Sequence, residues 1–407
     1  MSAVPDAPPD CITLFKGDQS RLKNIVPIAE RVTPEFHQAE VEHIFRRSWL
    51  VIASAAELTQ RGSYLVTDVP PLKASLLVVR GEDDQIRVFH NICRHRGDRL
   101  VHTEQGCRKA FTCGFHGWTF SNTGKVIGIT DATQFCNLDR EQHALIPVRS
   151  EVWEDMVFVN FAKEPTESLR EWLGDMHDQY GGFSKGRVKI ADHRVVLNTN
   201  WNLAVNAFSE GYHNLYIHRN TVPDYQGGST NPNRHRAYIE VGRHFGRYSA
   251  HGNPHHKPTP AQGVLLKHSR PMFPAFTHFD MNALPPGVNP SRFAQWAFDI
   301  VHMVPNFILG PQANTHSMMW FWPIDHAHTD IRVQRFAFQS DKPSDRIAQA
   351  HSRVRGREVL REDLATMESN YASIASGALP HIVLSQQELL IQNHYRAADD
   401  MLRGGRA

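Results

Sequence analysis

From Trp49 to Phe161 the apolar positions fall into short runs (SWLVIA, SYLVTDV, ASLLVV, QIRVFHN and VWEDMVFVNF) punctuated by Gly, Asp and Pro. Runs of this length, rich in β-branched and aromatic residues and bounded by turn formers, predict strands. Together they predict one compact β-rich domain over residues 46–165. Residues 1–32 ahead of it carry no periodic pattern and predict an arm with little regular structure. Thr33-Pro34-Glu35 reads as a helix start, with Thr as N-cap and Pro at the first helical position, and the helix is expected to run to Arg47. This N-terminal segment, residues 1–45, is expected to pack on the C-terminal domain.

Beyond Glu164-Pro165 the pattern changes period. Helical spacing covers 166–180, 199–218, 343–376 and 385–402, and strand-like runs occupy 235–340. The hairpin THSMMWFWPID–HAHT–DIRVQRFAF is the clearest of them. Strands grouped together with helices at either end predict an α+β class, a sheet with helices packed on it, over residues 166–407. There is no internal repeat and no low-complexity tract.

Composition narrows the function classes. The 407 residues suggest two or three folding units at about 150 residues each. With 41% hydrophobic and 21% charged residues the chain can bury an ample core, and a net charge of +2 gives no electrostatic reason for nucleic acid or anionic membrane. The start, MSAVPDAPPD, lacks the basic and apolar regions of a secretory signal, and no apolar run approaches the ~20 residues of a membrane span. A cytoplasmic protein without nucleic-acid or membrane partners is therefore expected. Cys11, Cys107 and Cys136 remain once the two motif cysteines below are set aside; their odd number argues for reduced thiols, read as packing residues. The His-rich stretch HGNPHHKP (251–258) reads as a solvated loop.

The chemistry begins with Cys93-Arg94-His95, followed after seventeen residues by Cys113-Gly114-Phe115-His116. Each segment offers one thiolate and one imidazole. In a Rieske [2Fe–2S] centre, two histidines replace two cysteines on one iron. Gly97, Gly114 and Gly117 flank these ligands, as tight loops around a cluster require. The competing reading of this motif alone is a structural zinc, which also takes four Cys/His ligands.

A second candidate site lies at His213 and His218. Asn200-Trp201-Asn202-Leu203 opens a helix expected to reach them, yet at about 100° per residue the two rings would stand about 140° apart. To share an ion the helix must end, bend or widen between them, and Gly211 supplies backbone freedom. A carboxylate would complete the 2-His-1-carboxylate set of non-haem Fe(II) oxygenases. In VLREDLATMESNYASIASG the positions Leu360, Leu364, Met367, Tyr371 and Ile374 form an apolar stripe, and Asp363 lies on its edge. An acid there is tolerated when it is paired or bound to metal, so Asp363 is the candidate ligand. Glu362 shares its face with Glu358 and Thr366 and is expected to be solvated. Gly377 is expected to close the helix.

Taken with these residues, NICRHRGDRLV and CGFHGWTF resemble the two cluster loops of the Rieske oxygenases. EGYHNLYIH resembles the E/D-x-Y-H-x4-H iron motif of Rieske non-haem iron oxygenase α subunits, the ring-hydroxylating type being nearest. The resemblance implies a Rieske domain with ligands Cys93, His95, Cys113 and His116, and a helix-grip catalytic domain holding mononuclear Fe(II) through His213, His218 and Asp363. It implies a homotrimer, α3 or α3β3 with a small subunit, and casts Glu210 as the acid that links His213 to a neighbouring subunit's His116. The ring dioxygenases usually carry Asp at that position, whereas several monooxygenases and demethylases carry Glu.

Two motifs in one chain suit a reaction that needs O2 and two electrons. The chain has no G-x-G-x-x-G between a strand and a helix and too few cysteines for a ferredoxin cluster, so NAD(P)H oxidation is assigned to a separate reductase, with or without a ferredoxin. The expected activity is hydroxylation of an apolar, aromatic small molecule; the alternative is demethylation of a quaternary amine or methoxy-arene. Phe208, Trp296, Met303, Phe307, Met318 and Trp320 are candidate lining residues, with ordinary core the competing reading. Arg219 could meet a substrate carboxylate but is read as solvated. An electron-carrying Rieske protein would leave the second half unexplained, and a zinc-stabilised ligand-binding protein would be colourless.

Overall fold

The computed structural model describes residues 14–164, 167–222, 224, 231–233, 236–268 and 280–404. Backbone pairing starts earlier than the pattern suggested. Strand β1 (Leu14–Lys16) lies parallel to a strand of the large C-terminal sheet, and β2 (Ile25–Pro27) pairs with a short strand at His381–Val383. The arm thus gains order from remote partners that no local pattern reveals; residues 1–13, with Cys11, lie outside the described residues. Helix α1 (Pro34–Glu40) begins as expected, with Thr33 Oγ1 accepting from the Phe36 N–H at 3.2 Å. It gives way to a π-type turn over Val41–Phe45, short of Arg47.

The chain divides into two compact units. One is Phe45–Leu169; the other joins the segments on either side of it. In the first, β3 (Leu50–Ser54), β4 (Ser63–Val69), β5 (Ala74–Arg80), β6 (Ile86–His90), β7 (Gln105–Cys107), β8 (Ala110–Thr112), β9 (Thr119–Ser121), β10 (Val126–Gly128), β11 (Pro147–Trp153) and β12 (Met156–Asn160) form two sheets. Their orders are β3-β12-β11-β6-β5-β4-β7 and β10-β9-β8. Tyr64, Leu77, Phe89, Phe111, Trp118 and Phe120 pack into one core that also contains Cys93 and Cys113. Cys107 and Cys136, expected as packing residues, are exposed thiols instead.

The other unit is a sheet with helices on it. After the short α2 (Leu169–Leu173) come β13 (Arg187–Leu197), α3 (Trp201–Ala207), β14 (Ala237–Val241), β15 (Phe245–His251), α4 (Pro260–His268), β16 (Trp296–Met303), β17 (Phe307–Pro311), β18 (Thr315–Pro323), β19 (Thr329–Phe338), α5 (Pro343–Ala375), β20 (His381–Val383) and α6 (Leu389–Gly404). The sheet order is β1-β14-β15-β16-β17-β18-β19-β13, with the β18–β19 hairpin at its predicted place. β13 was not foreseen. It pairs along its whole length with β19, and α5 packs against it. The His-rich stretch is less solvated than expected. His251 ends β15, buried and stacked on Phe293 at 3.7 Å, and its pKa is pushed down to about 4 by burial. His256 Nδ1 lies 2.5 Å from Asp224 Oδ1. The first unit is built of strands and the second sets α-helices on a sheet, in keeping with an α+β class for the chain. Among the described residues no helix is long and apolar enough to cross a membrane.

Candidate metal centres

The two Cys/His segments fold into matching turns. The Cys93 N–H donates to Asp98 O at 2.7 Å and the Gly97 N–H to Cys93 O at 3.0 Å; Cys113 to Trp118 and Gly117 to Cys113 repeat this at 2.8 and 3.1 Å. Gly97 and Gly117 hold φ of 80° and 71°, the left-handed region that glycine enters without steric cost. The turns bring the His95 and His116 rings to 4.6 Å between centroids, while Trp118 stacks on His95 at 5.2 Å. Both cysteines are 3% exposed. Burial pushes the Cys93 thiol up, as does the Cys113 thiol beside it, while the His95 and Arg96 backbone N–H groups act the other way.

The Nδ1 atoms of His95 and His116 are buried without a hydrogen-bond partner. Two buried thiols facing two unpartnered imidazole nitrogens suit a group that takes two sulfur and two nitrogen ligands, as a Rieske cluster does.

The second site depends on a broken helix. Asn200 caps α3, its side chain accepting from the Asn202 N–H at 3.0 Å. The helix was expected to continue through His218 but stops at Ala207. Ser209 Oγ donates to Val205 O at 2.8 Å, and Phe208 N–H and Ser209 N–H turn back to Val205 O and Asn206 O. A short 3₁₀ turn, Tyr212–Leu215, follows. Gly211 has ordinary φ; its role is room, because a Cβ there would stand 2.7 Å from the Tyr248 hydroxyl.

This break brings three donor atoms together. His213 Nε2 and His218 Nε2 are 3.3 Å apart, and Asp363 Oδ1 from α5 lies 3.4 and 3.0 Å from them. Three ligands about 2.1 Å from one ion would be separated by about 3.0 Å at right angles or 3.4 Å in a tetrahedral arrangement. The nitrogens carry lone pairs toward one another, because each ring's Nδ1 faces an acid that can accept its proton. Glu210 Oε1 takes that of His213, and Glu362 Oε2 takes that of His218 at 3.0 Å. Asp363 Oδ1 is buried without a hydrogen-bond donor. Three converging acceptors repel one another unless a cation lies among them, so this donor set fits a metal ion.

Glu362 corrects the expectation that it is solvated. Besides His218 it accepts from Thr221 Oγ1 at 2.5 Å. Its other oxygen-bearing neighbour in sequence, Asp363, points into the same site from the next helical position. Glu210, 9% exposed, also accepts from the backbone N–H groups of Tyr212 and His213. The acids raise the His218 pKa against the opposing effect of burial, the larger single influence.

The three donors line a cavity with Phe208, Phe298, Ile300, Ile308 and Met319 among its walls. Of the candidate lining residues only Phe208 faces it; Trp296, Met303, Phe307, Met318 and Trp320 are buried in the core. Arg219 is exposed. Beneath α3 lies a buried polar network. Glu40 accepts from Trp201 Nε1 at 2.9 Å and Asn202 Nδ2 at 2.8 Å, and Asn202 Oδ1 meets His394 Nε2 at 2.7 Å. Burial pushes Glu40 up to about 7, against the effect of its two donors.

Residues 48–145 match the Rieske [2Fe–2S] domain, and residues 185–404, more than half of the chain, match the catalytic domain of the ring-hydroxylating α subunit. The benzene 1,2-dioxygenase α subunit of Pseudomonas putida is 31% identical over 208 residues, 49% of this chain and 45% of that protein. The glycine betaine monooxygenase oxygenase subunit of Chromohalobacter salexigens is 28% identical over 214 residues, 52% of this chain and 46% of that protein. The matched segments thus span about half the length of these relatives. Among solved structures, a Rhodococcus naphthalene 1,2-dioxygenase superposes with a TM-score of 0.75 at 21% identity, covering 93% of this chain and 94% of that one. A quaternary ammonium Rieske monooxygenase gives 0.74 at 18%, covering 96% and 99%. With both domain models matched in order along one chain, this protein belongs to the ring-hydroxylating α-subunit family of Rieske oxygenases.

Proposed function

We propose that this chain is the terminal oxygenase component of a multicomponent system. It takes electrons from a separate NAD(P)H-dependent reductase, directly or through a ferredoxin, and uses O2 to hydroxylate an apolar, aromatic small molecule. The observation that carries this reading is the convergence of His213 Nε2, His218 Nε2 and Asp363 Oδ1 within 3.4 Å on the wall of a largely apolar cavity. We assign Cys93, His95, Cys113 and His116 to a [2Fe–2S] cluster, and His213, His218 and Asp363 to one Fe(II).

When bound, the cluster supplies single electrons and the mononuclear iron activates O2 beside the substrate. The chain's own residues prepare for that chemistry. Glu210 and Glu362 each accept from the Nδ1–H of one ligand imidazole, which fixes the tautomer and makes the ring a better donor at Nε2. Asp363 brings a negative charge that offsets part of the ion's charge in a buried setting. Phe208, Ile300 and Met319 cover hydrocarbon surface and exclude water from the reacting face.

Glu210 has a further role in this reading. Its Oε2 is occupied by two backbone N–H groups, while Oε1 holds one imidazole and retains acceptor capacity. A second imidazole can therefore dock on Oε1, which supports a homotrimer, with or without a small β subunit, that brings the partner subunit's His116 there. A cytoplasmic setting suits the exposed thiols Cys107 and Cys136, which stay reduced in that compartment.

A second reading, demethylation of a quaternary amine or methoxy-arene, draws support from Glu at position 210 and from the similarity to a glycine betaine monooxygenase. Turnover of iron-loaded protein with a reductase, NADH and isotopically labelled O2, against aromatic hydrocarbons, aromatic acids and methylated amines, tests both. Label retained in a hydroxylated arene is the expected result, and formaldehyde release selects the second reading. No substrate-dependent O2 uptake by protein carrying both metals rules out an oxygenase.

A further inference from the structure

Four arginines line the cavity, and among the described residues no acid pairs with Arg335. Arg335 lies on β19, where the register sets it opposite Ala191 of β13 and Ser317 of β18, and all three line the cavity. Its neighbours in that row are small, so the guanidinium is not covered from the sheet side. Its guanidinium rests on α5. Nη1 donates to Ser352 O and Oγ, both at 3.2 Å, and no other hydrogen bond or ion pair reaches the guanidinium among the described residues. Burial lowers the Arg335 pKa, and the like charge of Arg355 adds to that.

The helix is shaped to admit this side chain. Gly356 sits in the interior of the long α5, where glycine is costly to a helix. A Cβ at that position would stand 2.7, 2.8 and 2.9 Å from Nη1, Nη2 and Cζ of Arg335. The glycine therefore gives the guanidinium its place against the helix backbone.

The acids that line the same cavity are engaged elsewhere. Glu210 holds His213 and two backbone N–H groups, and Asp363 lies between His213 and His218. Asp299 accepts from Ser249 Oγ, from Asn289 N–H at 2.9 Å and from Trp296 Nε1 at 2.7 Å. A guanidinium seated by one serine and facing an apolar cavity is poised for an anion that the protein does not supply.

We propose that the substrate carries a carboxylate on an apolar, aromatic body, and that Arg335 binds that carboxylate and sets which carbon faces the metal site. This rests on the oxygenase reading of the cavity. A cationic headgroup is disfavoured there, since quaternary ammonium recognition uses a cage of Trp, Tyr or Phe rings and only Phe208 and Phe298 are of that kind among the described lining residues.

The test is anaerobic equilibrium binding to the full-length, metal-loaded protein with three probes of similar size: benzoate, toluene and benzyltrimethylammonium. Benzoate should bind tightest. Arg335→Gln should weaken benzoate roughly ten- to hundred-fold and leave toluene unchanged, as expected for loss of a charged hydrogen bond. Gly356→Ala, which should favour the helix itself, should weaken benzoate in the same direction by displacing the guanidinium. Tighter binding of toluene or benzyltrimethylammonium than benzoate by the wild type overturns the proposal. So does unchanged benzoate affinity in folded Arg335→Gln or, if that variant does not fold, in Gly356→Ala. Arg335-dependent benzoate binding without any oxygenated product would keep the anion site and sink the oxygenase reading. Oxygenation of toluene without Arg335-dependent binding would do the reverse.

Discussion

The two candidate metal centres are built in opposite ways. The Cys/His centre is local: four side chains from two turns within 24 residues, each turn closed by its own backbone hydrogen bonds and a positive-φ glycine. The His/Asp centre is assembled. Its imidazoles come from a segment that has just left a helix, and its carboxylate comes from a helix 145 positions further on. A local centre needs only its turns to form, whereas an assembled one needs the sheet that holds α3 and α5 in place. The ring atoms left free differ as well. At the assembled centre Glu210 and Glu362 hold Nδ1 and leave Nε2 to the site, whereas at the local centre the buried nitrogen without a partner among the described residues is Nδ1 of His95 and of His116.

Changing ligand type at the local centre should have the largest effect. His116→Cys would replace an imidazole by a thiolate and should lower the reduction potential on the order of hundreds of mV, with a changed visible spectrum. Redox titration checks this, and an unaltered potential would remove His116 from the ligand set. At the assembled centre the orienting acids come next. Glu362→Ala and Glu210→Gln should each weaken iron binding roughly 10–100-fold without touching the cluster, as read by competition with a chelator. Glu210→Gln should also slow reoxidation of the pre-reduced cluster by one to two orders of magnitude, since a charged hydrogen bond is worth roughly 1.5–3 kcal/mol. If Glu362→Ala retains iron as tightly as the wild type, the His218 contact is incidental.

The smallest effect concerns the support beneath α3. Glu40 has a folded-state pKa of about 7, above its ordinary value of 4.5, so the folded chain keeps a proton that the unfolded chain loses. The resulting stability is fully present below pH 4.5 and is lost as pH rises through 7. The slope is at most about 1.4 kcal/mol per pH unit across that window. Unfolding of wild type and Glu40→Gln at several pH values checks it; the slope attributed to Glu40 should vanish in the variant.

The same contrast explains what could be read from the chain. The cluster loops were legible because ligand spacing and glycine placement are local properties. Asp363 was legible because an acid on the edge of an apolar stripe conflicts with burial unless something compensates it. Glu362 was not, because a single helix's periodicity carries no information about His218 and Thr221, which arrive from another segment. The i,i+5 histidines signalled that their helix had to break, but its end at Ala207 depends on Ser209 and on the approach of Tyr248 to Gly211. Arg335 left one faint trace, a glycine inside a 33-residue helix, whose reason is visible only in three dimensions.

The claim that one chain holds two independent centres is tested most directly by iron and acid-labile sulfide analysis of the wild type beside Asp363→Ala. Independence predicts that the variant loses about one iron per chain while sulfide stays at about two and the cluster absorbance is unchanged. Unchanged iron content, or sulfide lost together with iron, would contradict it.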